Sequence, residues 1–138
     1  MKQIATLVLI LFLGLQTVNA QLGNSRSEIT GKFGTNFYKT GTSKQGEPYI
    51  VYKIQDSTAT SGSFTERVCF YFTKSDDGTE YCNEQLILDP LSELNYWVEY
   101  YKSNYKEIGN MQYRDDKNKV IFQVSVVNNY CSVGIWYE

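Results

Sequence analysis

The chain contains no histidine. No other side chain titrates near neutrality unless its surroundings push it there, so Ser-His-Asp and Cys-His nucleophile chemistry and histidine-bearing metal centres are excluded from the start. Glycine-rich phosphate cradles and dinucleotide fingerprints are missing as well. Two prolines, and no Pro-rich or acidic tract, leave no linker to divide the chain. The basic residues are dispersed, and their tightest grouping, Lys117 and Lys119, lies beside Asp115 and Asp116. Such a surface offers no electrostatic footprint for nucleic acid or anionic membrane. Close pairs of cysteines, which a zinc site needs, are lacking. The Asp115-Asp116 run lacks the dozen-residue ligand spacing of a calcium loop. Neither metal nor cofactor is expected.

What is present begins with an export signal in outline. Lys2, an apolar run over 4–15 and Val18-Asn19-Ala20 set up cleavage before Gln21. The run is short for a membrane span, no cysteine follows the cut as a lipoprotein would need, and no later segment is apolar enough to cross a bilayer. A secreted or periplasmic protein, not inserted in a membrane after cleavage, is the expectation. Removing 20 of the 138 residues leaves 118, enough for one core and too few for two domains. It also leaves 12 basic against 15 acidic residues, a net charge of −3.

Three cysteines remain, Cys69, Cys82 and Cys131. In an oxidising compartment they allow one bridge with one thiol left over. A two-residue turn at Asp77-Gly78 would put Cys69 opposite Leu86 and Cys82 opposite Thr73, too far apart to bridge; a four-residue loop over 74–77 would set the two face to face. The readings retained are a bridge between Cys82 and Cys131, or three reduced thiols.

One stretch organises the rest. Leu91, Leu94, Val98, Tyr101, Tyr105 and Ile108 recur at spacings of three and four, which places them on one stripe of a helix over about 90–108. Asp89 is suited to cap its start, Pro90 to open it and Gly109 to close it. Strands are expected over 28–40 (Ile29, Phe33 and Phe37 on one side), 48–54, 67–73 and 80–88, with 21–27 a loose arm and 55–64 a flexible loop. After the helix come a short strand over 111–114, a polar turn over 115–118 and a hairpin turning at Asn128-Asn129. That turn pairs Val126 with Cys131, Val124 with Val133, Phe122 with Ile135 and Val120 with Tyr137. The fold class is α+β: an antiparallel sheet of six or seven strands with one main helix packed on one face.

Aromatic residues carry the functional expectation, because twelve tyrosines exceed what the core stripes absorb. Tyr96 and Tyr100 point off the helix stripe side by side, and Tyr130 and Trp136 stand on the last hairpin. These four are the candidate binding residues of a non-catalytic binding protein whose partner is a protein contacted through exposed rings. A carbohydrate-binding module is the alternative, and a small hydrolase working through two carboxylates is the remaining one. The sheet-plus-helix plan resembles that of many small exported bacterial domains, and no residue role follows from it.

Overall fold

Period-two alternation in the described residues, 21–138 of a computed structural model, builds eight strands, each antiparallel to its neighbours. They are β1 (Lys39–Thr42), β2 (Pro48–Thr58), β3 (Gly62–Lys74), β4 (Glu80–Pro90), β5 (Lys106–Gly109), β6 (Gln112–Asp115), β7 (Val120–Val127) and β8 (Tyr130–Tyr137). Their order in the single sheet is β1-β2-β3-β4-β8-β7-β6-β5. Two meanders therefore run inward from opposite edges and join where β4 pairs with β8. Helix α1 (Arg26–Phe33) precedes the sheet; helix α2 (Leu94–Asn104) follows a 3-10 turn, Leu91–Glu93, and carries the chain from the centre to the β5 edge. The α+β class holds, with eight strands rather than six or seven and a second helix beside the main one. The expected signal segment, 1–20, lies outside the described residues.

Both helices lie on the same face. Ile50 and Tyr52 of β2, Val68, Phe70 and Phe72 of β3 and Cys82 of β4 form a buried cluster with Ile29 of α1, and Phe33 and Phe37 pack against it. Ile87 of β4, Tyr113, Val120, Phe122, Val124, Cys131, Val133 and Ile135 form another beneath Trp97 and Tyr101 of α2. Leu22 packs against both clusters and bridges them. The β7–β8 register is the one the sequence predicts, with Asn128 and Asn129 both at positive φ (48° and 63°) in the turn. The 75–78 turn and the inward set Val68, Phe70 and Phe72 are likewise as expected.

Residues 26–33 are helical, not extended. A spacing of four satisfies both a two-residue and a 3.6-residue period, so Ile29 and Phe33 alone do not separate the two. The capping box does: Ser25 Oγ accepts from the Glu28 amide at 3.1 Å, and Glu28 Oε2 accepts from the Ser25 amide at 2.7 Å. At the other end Gly34 takes φ 87°, and its carbonyl accepts from Tyr52 Oη at 2.7 Å. The arm before α1 is fastened rather than loose, since the Gly23 amide donates to the Cys82 carbonyl and the Cys82 amide to the Asn24 carbonyl, both at 2.8 Å. Residues 55–64 are likewise no flexible loop: β2 and β3 stay in register from Tyr49↔Tyr71 out to Thr58↔Gly62.

Helix α2 is shorter than its stripe at both ends. Asp89 remains in β4, paired with Cys131, and caps nothing; its Oδ2 accepts from the Trp97 indole at 2.8 Å. Past Asn104 the backbone is extended at Tyr105 (φ −136°, ψ 167°), and 106–109 form the edge strand β5. Trp97 and Tyr101 bury the helix, Leu94, Val98 and Tyr105 are half-buried, and the outermost members of the stripe, Leu91 and Ile108, are 41% and 38% exposed. The three cysteines are buried free thiols. Cys82 and Cys131 belong to different clusters and make no bridge, while Cys69 faces Leu86 and Cys82 faces Phe72 across a bulge at Tyr71/Phe72.

Candidate functional site

The four aromatics singled out by sequence do not share a surface. Tyr96 is 45% exposed on α2 and stacks on Tyr100 at 6.2 Å, but Tyr100 is half-buried and meets Tyr101 edge-on at 5.3 Å. Of that pair Tyr96 is the more exposed. Tyr130 and Trp136 alternate with the inward residues of β8, so they stand on the opposite side of the sheet from both helices. There the Arg67 guanidinium lies over the Tyr130 ring at 5.6 Å. Trp136 folds back across Gly134, where an added Cβ would come within 3.1 Å of its ring.

That helix-free face carries more rings than the sequence pattern singled out. By alternation Tyr49, Val51, Cys69, Tyr71, Leu86, Leu88, Ile121 and Trp136 all point to it. Tyr49 and Tyr71 face each other across β2 and β3 with ring centres 5.8 Å apart, and Tyr49 also covers Gly41. Neighbouring side chains suffice to bury Cys69 and Ile121, whereas Tyr49, Tyr71, Leu86, Leu88 and Trp136 stay half-exposed. Water is already partly displaced here: burial pushes the Cys69 thiol up to about 11 and the Tyr71 phenol up to about 12. Lys39, Lys53, Arg67 and Glu84 ring the apolar centre with charge of both signs. Where the beginning of β4 meets the end of β8, Asn83, Glu84, Trp136 and Tyr137 line a shallow hollow of about 510 Å³.

A second grouping lies on the covered face, where β3 and β4 run past the inner end of α2. Glu66, Asp89 and Glu93 are buried there, 8%, 3% and 3% exposed. Burial first, then the neighbouring Asp89 charge, push the Glu66 carboxyl up to about 9, and burial raises Asp89 as well. Glu93 Oε1 accepts from Thr58 Oγ1 at 2.5 Å and from Ser61 Oγ at 2.6 Å. Among the described residues no set of acids and thiols is arranged to hold a metal ion. Neither the hollow beside Trp136 nor a second one of about 380 Å³ beside Ser103 and Asp116 is lined by these acids. They converge away from both of these hollows.

Sequence reading missed Glu66 and Asp89 as a pair, and the signal was phase. Glu66 falls in step with Val68, Phe70 and Phe72, and Asp89 in step with Ile87, so each acid occupies an inward position of a strand otherwise apolar on that side. Tyr49 and Tyr71 become neighbours only through the β2–β3 register, which sets them opposite each other. Comparisons with protein-family models, with curated proteins and with solved structures gave no match to this chain.

Proposed function

We propose that this is an exported, non-catalytic binding protein that takes a protein partner on the helix-free face of its sheet. The observation that carries the reading is the row of half-buried Tyr49, Tyr71, Leu86, Leu88 and Trp136 on a face against which neither helix packs. Rings give contact area at low entropic cost, and a mixed charged border suits a polar interface rim. The breadth of the row, from β2 to β8, fits a macromolecular surface better than a single sugar ring. Export rests on the signal outline of 1–20. Within the described residues no helix is long and apolar enough to cross a membrane.

Affinity capture from the source organism's envelope tests this, with three baits: the wild type, Tyr49→Ser/Tyr71→Ser, and Tyr96→Ser on the other side of the molecule. A partner retained by the wild type and by Tyr96→Ser, and lost by the double variant, is the expected result. Retention by the double variant with loss by Tyr96→Ser moves the surface to α2 and overturns the assignment. A carbohydrate reading is favoured by one feature, the hollow in which Trp136 and Tyr137 meet the amide of Asn83 and the carboxylate of Glu84. Glycan-array binding abolished by Trp136→Ala would establish it in place of the protein partner.

A further inference from the structure

The β2–β3 hairpin outruns its neighbours. β1 pairs with β2 only as far as Val51, and β4 meets β3 only from Arg67 onward, so 54–66 is a two-stranded ribbon with no third strand beside it among the described residues. Such a ribbon is marginal in water by itself. What secures it is the 3-10 turn that leads into α2: Thr58 and Ser61 donate to Glu93, and Ser61 Oγ lies 2.5 Å from Ser92 Oγ. Directly inside this fastening, Glu66 at the base of the ribbon lies within hydrogen-bonding reach of Asp89 on β4. Asp89 commits Oδ2 to the Trp97 indole, and its buried Oδ1 has no donor while both carboxyls are ionised. Around the pair stand Asp56 from β2, Glu93 from the 3-10 turn, Tyr96 and Trp97 from α2, and Cys131 from β8. All are acidic or neutral, and none of the three ion pairs among the described residues involves them.

We propose that Glu66 and Asp89 share one proton and that this proton holds a latch, keeping the 54–66 ribbon closed on the start of α2. With the proton in place Glu66 donates to the orphan Asp89 oxygen, and the buried site carries one charge fewer. Its loss leaves adjacent buried anions whose repulsion and desolvation are relieved when the ribbon lifts and carries Glu66 into water. The closed form holds Glu66 up to about 9, against 4.5 for an ordinary glutamic acid in the lifted form. A carboxyl whose value is raised on closing favours the closed form fully below the lower value. That advantage is lost as pH rises from there through the higher one. The latch is closed by acid and opened by alkali.

Hydrogen exchange of the whole protein, followed by mass spectrometry from pH 5 to pH 9, tests this. The readout is the exchange rate of 54–66 divided by that of 120–137 in the same sample, which cancels the base catalysis common to both. The wild-type ratio is expected to rise up to about tenfold for each pH unit across this range, as one released proton requires. In Glu66→Gln, whose amide donates to Asp89 at every pH, the ratio stays level. Asp89→Asn serves the same purpose should Glu66→Gln not fold. Thr58→Val, which breaks the fastening and spares the acid pair, raises the ratio already at pH 5. A level ratio in the wild type overturns the latch, and so does a rise that persists unchanged in either acid variant.

Discussion

The two faces of the sheet are made from the same strands and differ in what lies over them. On the covered face α1 and α2 bury residues to near-zero exposure, among them Ile29, Phe72, Tyr101, Val124 and Val133. On the helix-free face the alternate residues are aromatic too, with Tyr49, Tyr71 and Trp136, yet these remain only partly buried. Side-chain type therefore does not say which face is core; the partner element does. A ring under a helix is sealed from water, whereas Tyr49, Tyr71 and Trp136 on the open face keep part of their surface exposed.

Substitutions sharpen that contrast. Tyr101→Ala removes a ring stacked on Phe122 at 4.6 Å and on Tyr113 at 5.9 Å, and urea unfolding should show a loss of about 3–5 kcal/mol. A loss under about 1 kcal/mol would mean that α2 is not the lid of this core. Trp97→Phe keeps most of the packing but strips the donor from buried Asp89, for about 1–3 kcal/mol by the same measurement. Near-neutral behaviour there would show that the indole hydrogen bond adds little. Ser25→Ala breaks the capping box of α1 and should cost about 1 kcal/mol in thermal melts. Smallest for stability is Tyr71→Ser on the open face, about 0.2–1 kcal/mol from its cross-strand pairing with Tyr49. A cost matching that of Tyr101→Ala would erase the distinction between the faces.

Much of the covered face was legible in the sequence, and the reasons differ by element. The β7–β8 register follows from Asn128-Asn129 and strict alternation, which together leave one pairing that keeps the apolar set on one side. Helix α2 was legible at its middle, where Leu94, Val98 and Tyr101 are spaced for one stripe. Its ends were not, because Asp89-Pro90 reads equally as a cap and as the end of a strand, and the structure uses it as the latter. α1 was misread although Ser25 and Glu28 spelled out its start. The 55–64 ribbon looks like a loop by composition; pairing to its partner strand and the bonds to Glu93 make it strand. Of the candidate binding residues Trp136 and Tyr130 do stand on the open face, while Tyr96 and Tyr100 belong to the far side. Tyr49 and Tyr71 need a three-dimensional register to be seen as neighbours.

The meeting of β4 with β8 has a consequence for assembly. Residues 130–137 are the last of the eight described strands to be made, yet they occupy the middle of the sheet, between β7, which immediately precedes them, and β4, made much earlier. Each meander can form its local hairpins as it emerges, but the two stay unjoined until this final segment arrives. A chain truncated shortly before residue 130 would hold two half-sheets with unpaired central edges, the state most exposed to aggregation and most open to chaperones.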